Sequence, residues 1–182
     1  MPSTFRQPDD PPPGVLTLPL QKGDIPAVRV AIRGGARGDK DFAASTLFAS
    51  VLESRLRAKL PSAVAANTFV RDAAYVLPGQ ITIGFASTEP FKTGSKDNDI
   101  VKNALADAVT DAELVAAKAA VAAEWSKRPN EDLWLDLDTY KLPDPMAERK
   151  TLDATTLVEM NAYAEKVRQA PRAYVIVAAA SK

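Results

Sequence analysis

The stretch from Ala27 to Arg33, AVRVAIR, is the feature that most restricts the fold of this chain. Its apolar side chains occupy every second position, and two arginines lie between them. This period of two is typical of a β-strand with one buried face. The sequence therefore predicts a sheet that begins here.

A long helix is predicted next, after the Gly-rich turn RGGARGDKD. Apolar residues then recur at the spacing of one helix face: Phe42, Leu47, Phe48, Val51, Leu52, Leu56 and Leu60. Pro61 ends this helix, because proline disfavours helical geometry at the residue before it.

Two neighbouring antiparallel strands are predicted on either side of LPG. The first is AVAANTFVRDAAYV, and its alanine-rich start, SAVAAN with Ser62 included, is interpreted as extended. The second is QITIGFAST, in which Ile81, Ile83 and Phe85 share one face. The closing segment RAYVIVAAA is apolar on both faces, which favours a place inside the sheet and not at its edge.

Four more helices are predicted between these strands. The second begins at Ile100 and ends near Val109, where Thr110 and Glu113 form a capping box that starts the third. A short fourth helix contains Leu133, Trp134, Leu137 and Tyr140, and a fifth is expected to start at Asp153 as its N-cap.

Composition excludes several kinds of chemistry. The chain of 182 residues has 23 basic and 23 acidic side chains, so no overall positive field favours nucleic acid as a partner. It contains no His and no Cys, which excludes a thiol nucleophile, a Ser-His-Asp triad and zinc ligation by those residues. A metal site could use only oxygen ligands.

The start of the chain, MPSTFRQPDDPPPG, is rich in proline and lacks the apolar run of a signal peptide. Residues 1–24 are interpreted as an arm or interdomain linker, and residues 25–182 as a single domain. The chain is therefore expected to be a fragment of a longer protein. No apolar run approaches the roughly 20 residues that span a bilayer, and the compartment is left open.

Two motifs and the order of elements resemble a known family. GDKDFAASTLFASVLESRL is similar to an Asp-containing entry followed by a Ser-Arg-Leu helix, and VTDAELVAAKAAV to a Glu-Leu-x-x-Ala-Lys helix start. Together they resemble the C-terminal, non-catalytic domain of insulinase/pitrilysin-like zinc metallopeptidases, the family that includes mitochondrial processing peptidase. The resemblance covers about residues 27–180.

The resemblance implies a two-layer α+β fold, an antiparallel sheet with helices mainly on one face. It implies that two such domains enclose a chamber for an unstructured peptide, and that zinc is held by His-x-x-Glu-His in the other domain. This chain has no His, so it is expected to carry no cofactor, and its partner is expected to be a catalytic zinc-peptidase domain or subunit. A homo- or hetero-oligomer is left open.

The resemblance also implies substrate contacts where the Ser-Arg-Leu helix ends. Family members continue there to Leu-Arg and Gly-x-x-Tyr, whereas this chain has Leu60-Pro61 and then SAVAAN. Arg55, Arg57 and Asn67 are the candidate substrate-binding residues, and Ser62 to Phe69 the expected chamber wall.

Simpler interpretations accompany these residues. Arg55, Arg57 and Lys59 suit the solvated side of a helix, with Glu53 and Arg57 as an i,i+4 pair. The Arg37-Gly38-Asp39 tripeptide is explained by a turn. The carboxylates Glu131, Asp132, Asp136 and Asp138 suit helix capping better than a metal, and Trp125, Trp134 and Tyr140 suit a core or a domain interface.

Two hypotheses follow for function. The first is a non-catalytic domain that closes the peptide chamber of a catalytic partner. The alternative is a purely structural assembly domain that has lost its substrate contacts.

Overall fold

One five-stranded sheet carries the helical layer. The computed structural model describes residues 13–86 and 95–178, without the side chains of residues 95–99 and 178. Within these ranges the elements are β1 (Gly14–Pro19), β2 (Ala27–Arg33), α1 (Phe42–Lys59), α2 (Ser62–Ala65), β3 (Phe69–Ala73), β4 (Gln80–Ala86), α3 (Ser95–Ala106), α4 (Asp111–Trp125), α5 (Asn130–Tyr140), α6 (Ala147–Ala154), α7 (Leu157–Gln169) and β5 (Arg172–Ala178).

The strand order is β1-β5-β2-β4-β3. All neighbouring pairs are antiparallel except β1 with β5, so the sheet is mixed at one edge. The predicted hairpin of β3 and β4 is confirmed, and β5 lies between two strands as its double apolar character indicated. The predicted α+β class is also confirmed.

The two faces of the sheet differ sharply. Val28, Val30 and Ile32 of β2 are fully buried, and so are Ile81, Ile83 and Phe85 of β4. They pack against the apolar stripe of α1, whose members Leu47, Phe48, Leu52 and Leu56 are equally inaccessible. Residues of the opposite parity carry Arg29, Arg71 and Thr82 on the open face.

The alanine-rich segment SAVAAN is not extended, and that prediction was wrong. Ser62–Ala65 form the single-turn helix α2, with the Val64 and Ala65 amides donating to the Pro61 carbonyl at 2.9 and 2.8 Å. Alanine has the highest helix propensity, and Pro61 suits the position before a helix. Burial of Val64 in the core fixes this turn under the sheet.

The fifth predicted helix corresponds to α7, but it begins later than expected, and the unpredicted helix α6 precedes it. Asp153 lies in the last turn of α6 and accepts hydrogen bonds from Arg149, so it is not an N-cap. Thr156 caps α7 instead: it forms a capping box with Glu159. Thr-x-x-Glu is the sequence signal of such a box, and it was present at residues 156–159.

Strand β1 lies inside the segment interpreted as an arm. All six of its residues are exposed, and it joins the sheet by pairing with β5 from Gly14↔Ala173 to Pro19↔Ala178. Backbone pairing alone places it there, so it lacks the alternating burial by which strands are found in sequences.

Arg37 connects α5 and α6 to the body. Its guanidinium donates two bonds of 2.6 Å to Glu148 and two, of 3.0 and 2.6 Å, to Asp136, and stacks 4.2 Å from the centre of the Tyr140 ring. Arg128 also pairs with Asp136. Burial lowers the pKa of Arg37, but these bonds outweigh burial and raise it above its ordinary value. Helix α5 buries none of its own residues, so this cluster holds it.

Arg55 connects α1 to the junction of α3 and α4. It donates from Nε and Nη2 to the two Glu113 oxygens at 2.6 and 2.8 Å, and from Nη1 and Nη2 to the carbonyls of Ala104, Asp107 and Ala108 at 2.8–3.0 Å. These five bonds engage all five N–H donors of a guanidinium. With its side chain only 10% exposed, Arg55 is not the solvated cation that its sequence position suggested.

Thr110→Ala is expected to destabilise the domain by about 1 kcal/mol, because the capping box of Thr110 and Glu113 is present as predicted. Thr151→Ala is the control, since Thr151 is an exposed residue inside α6. Chemical denaturation followed by circular dichroism measures both. Equal midpoints for Thr110→Ala and wild type would mean that the cap contributes nothing.

Acid is expected to weaken the domain through Glu113. The hydrogen bond from Arg55, opposed by burial, lowers the pKa of Glu113 to about 2. The pKa of Glu in an unfolded chain is about 4.3. The stabilisation by this pair is therefore complete above that pH and is lost as the pH falls toward 2. In Glu113→Gln, the free energy of unfolding should therefore decrease less than in wild type as the pH is lowered through this range.

The matched control is Asp138→Asn, which also removes one negative charge but at a side chain that is 91% exposed. Denaturation midpoints at several pH values between 2 and 6 provide the comparison. If Glu113→Gln and wild type lose stability with the same slope, the Arg55–Glu113 pair is not the acid-sensitive contact.

Candidate functional site

The outer edge of β3 is the candidate site, and one ion pair closes its first half. Glu53 and Arg57 lie one turn apart on α1 and pair at 2.7 Å. The Val70 amide donates to Glu53 Oε2 at 3.0 Å, and Arg57 Nη2 donates to the Thr68 carbonyl at 2.9 Å. The pair therefore occupies the backbone groups that a neighbouring strand would otherwise use.

The second half of this edge is open. In an antiparallel strand, the backbone N–H and C=O groups of every second residue point away from the neighbouring strand. Because the Val70 amide points away from β4, the backbone amide and carbonyl of Asp72 do so too. Among the described residues, the Val70 carbonyl and the amide and carbonyl of Asp72 have no hydrogen-bond partner. Unpaired groups of this kind are a template for an added strand.

A groove of about 650 Å³ runs beside this open edge, between β3, α1 and α4. Its floor consists of small residues, which leave room for a backbone: Ala49, Ser50, Ser54 and Ala120. Val121 and Trp125 supply apolar surface at the side of α4. The groove thus offers space and apolar surface beside the open edge.

Asp72 is the one carboxylate of β3 and faces the helical layer. Its Oδ2 lies 3.5 Å from Thr46 Oγ1, while its Oδ1 is buried without a partner among the described residues. Burial is the main cause that raises the pKa of Asp72 above its ordinary value. Tyr163 donates to Ser45 Oγ at 2.9 Å behind it.

The side chains near Asp72 do not include those of a His- or Cys-based hydrolase. Asp72 has neither an imidazole nor a thiol to work with, since the chain has no His and no Cys. No group of three or more potential metal ligands occurs in the part of the chain that the structure describes. With open backbone groups beside a groove, the edge has the features of a docking surface for an extended segment.

The three candidate substrate-binding residues lie in two places. Arg57 and Asn67 flank the start of β3; Asn67 is exposed and donates from Nδ2 to the Ala63 carbonyl at 3.3 Å. Arg55 lies apart from them, in the cluster with Glu113. Their contact with substrate stays a prediction.

Asp72 and Glu53 were not among the predicted site residues. A signal for Asp72 was available, because the period of two in FVRDA puts it on the same face as buried Val70. A carboxylate on a buried face marks a polar site. Glu53 had only the i,i+4 pairing with Arg57, which is confirmed but does not reveal the strand edge beside it.

The structure accounts differently for the other residues that were singled out. Asp136 binds Arg37 and Arg128, so it is not free for a metal, and Arg37 itself belongs to a cluster and not merely to a turn. Trp125 lines the groove, whereas Trp134 is 68% exposed and is not a core residue. No helix in residues 13–86 and 95–178 is long and apolar enough to cross a membrane.

Sequence comparison finds no matching family profile and no matching curated protein. Solved structures do match. The chain is similar to a peptidase M16 inactive domain from Pseudomonas fluorescens, with a TM-score of 0.75 and 18% identity over 97% of this chain. It spans 45% of that structure's chain, somewhat less than half its length.

A second structure is matched over nearly its whole length. It is the inactive peptidase domain of a proposed zinc protease from Bordetella parapertussis, with a TM-score of 0.62, 18% identity and coverage of 90% of this chain and 96% of that one. A protease from Helicobacter pylori gives a TM-score of 0.69 at 14% identity, over 88% of this chain and 43% of the other. The chain thus has the fold of the inactive M16 peptidase domain, which confirms the fold that the resemblance implied.

Proposed function

We propose that this chain is a non-catalytic domain that closes the peptide chamber of a catalytic zinc-peptidase domain or subunit. The observation that carries the proposal is the open half of the β3 edge beside a groove floored by small residues. The inactive-domain fold and the lack of His and Cys support the same function. An unstructured peptide would add to β3 as an extended strand.

Such binding is weak for the chain by itself. Only the Val70 carbonyl and the two backbone groups of Asp72 are open, because Glu53 and Arg57 close the rest of the edge. Ordering each peptide residue costs roughly 1–2 kcal/mol of backbone entropy. A few hydrogen bonds of about 1 kcal/mol each offset little of that cost, so the partner domain supplies the remaining contacts.

The alternative is a structural assembly domain, and one feature favours it. Helix α5 exposes Trp134 and Leu135 at 68% and 66% and buries none of its residues. Large exposed apolar side chains often mark a protein–protein interface. An assembly domain would use α5 and leave the β3 edge unoccupied.

The isolated chain is expected to bind no stoichiometric zinc and to cleave no peptide, because it contains no His or Cys ligand. Elemental analysis of the purified protein and an assay on a quenched unstructured peptide test this. Residual cleavage counts as contamination only if further purification separates it from the chain. Cleavage that stays with the purified chain would refute the non-catalytic role.

Asp72→Pro is expected to abolish peptide pairing at β3, because proline removes the outward amide of residue 72 and leaves the bonds to β4 intact. Asp72→Ala is the matched control, since it removes the same carboxylate and keeps the amide. Isotope-labelled chain is titrated with an unstructured peptide and followed by backbone NMR.

In wild type and Asp72→Ala, signals of residues 70–73 should shift at high peptide concentration, and in Asp72→Pro they should not. Shifts confined to α5 would favour the assembly domain. Equal shifts in Asp72→Pro and Asp72→Ala would show that the peptide does not pair with this edge.

A further inference from the structure

The open face of the sheet carries an aromatic ring over a glycine. Phe69 of β3 and Gly84 of β4 are cross-strand partners. A Cβ built on Gly84 would lie 2.5 Å from Cε1 and Cζ of Phe69, closer than any side chain allows. The ring edge at Cε1 and Cζ therefore occupies the space that the side chain of any other residue would fill.

Two arginines flank that ring. The guanidinium carbons of Arg29 and Arg71 each lie 5.0 Å from the centre of the Phe69 ring. Arg29 reaches it because Gly84, its partner on β4, has no side chain in the way. Arg29 Nη1 donates to the carbonyls of Val28 and Phe85 at 2.9 and 3.3 Å, which fixes this guanidinium in place.

The part of the sheet that the structure describes offers these two cations no acidic partner. Neither Arg29 nor Arg71 forms an ion pair within the described residues. The strand register puts these residues on the open face: Leu16, Leu18, Ala27, Arg29, Ala31, Arg33, Phe69, Arg71, Ala73, Gln80, Thr82, Gly84, Ala86, Ala173, Val175 and Val177. None of them is acidic, although the whole chain has no net charge.

The flanked ring lies beside the open edge. A strand added to β3 would alternate its side chains between the groove and the open face. Those on the open face would lie next to Phe69 and Arg71, where an opposite charge is favourable as a cross-strand pair. An aspartate or glutamate at such a position would lie beside Arg71. It would also be attracted, over a longer distance, by the positive charge of Arg29.

We propose that Arg29, Phe69 and Arg71 form a specificity subsite that selects acidic side chains in an extended peptide. This inference rests on the proposed peptide-binding function and names its substrate class. Two cations suit a peptide carboxylate, and they are few for a nucleic acid, whose affinity grows with the number of phosphates neutralised.

The test uses two capped, unstructured peptides that alternate Thr with Glu or Thr with Gln, titrated into the labelled full chain at low salt. Wild type should bind the Glu peptide about two- to fivefold more tightly, the range expected of an exposed charge pair. Arg71→Gln should remove this preference. Arg71→Glu should reverse it in favour of a Thr/Lys peptide.

Lys150→Gln is the charge control, because it removes a cation from α6 in the helical layer. This variant should keep the preference for Glu. Phe69→Leu tests the ring separately: without an aromatic face to hold the guanidinium groups, the preference should shrink although both arginines remain.

The outcomes separate this inference from the proposed function. If wild type binds the Glu and Gln peptides equally while signals of residues 70–73 shift, peptide docking stands and the acidic selectivity is refuted. If no peptide shifts those signals, docking itself fails. A single-stranded oligonucleotide that displaces the Glu peptide at lower concentration would overturn the assignment in favour of nucleic acid.

Discussion

The burial of α1 against β2 and β4 is the interaction on which the rest of the structure depends. Leu47, Phe48, Leu52 and Leu56 are inaccessible to solvent, and each fully buried side chain of this kind contributes about 1.5–3 kcal/mol. Helix α1 also contacts α3, α4, α6 and α7, so the helical layer is organised around it. The polar residues on its flanks are thereby held at fixed positions beside the sheet and the neighbouring helices.

The polar residues on the two flanks of α1 have different roles. Arg55 faces the start of α4, where it supports the capping box through Glu113 and satisfies three carbonyls at the end of α3. Glu53 and Arg57 face the sheet instead and close the start of the β3 edge. Arg55 lies two positions from Glu53 and two from Arg57, a little over half a helical turn, so it faces the opposite side of α1. This opposite placement explains why neighbouring charges in SRLRAK have different roles.

The sequence was sufficient for the fold because its main signals are local. Strand β2, helix α1 and the capping box of α4 each follow from spacing within a few residues. The role of Arg55 does not, because its partner Glu113 is 58 positions away and becomes a neighbour only after α1 and α4 pack. Helix α2 and strand β1 were missed for a related reason: tertiary burial of Val64 decides one, and pairing with the distant β5 decides the other.

The candidate site depends on how charge is distributed, which net charge does not describe. Twenty-three cations balance 23 anions over the chain, yet Arg29 and Arg71 on the open face form no ion pair with any described residue. The carboxylates of Glu53, Asp136 and Glu148 are paired within the helical side. An exposed strand edge invites self-association, and the Glu53–Arg57 pair limits that hazard by occupying half of β3. The half that stays open has a cationic face on one side and a groove on the other. Under the proposed subsite, a segment that pairs there would be selected by its side chains as well as its backbone. Like charge on the open faces of two copies would also oppose edge-to-edge pairing of this chain with itself.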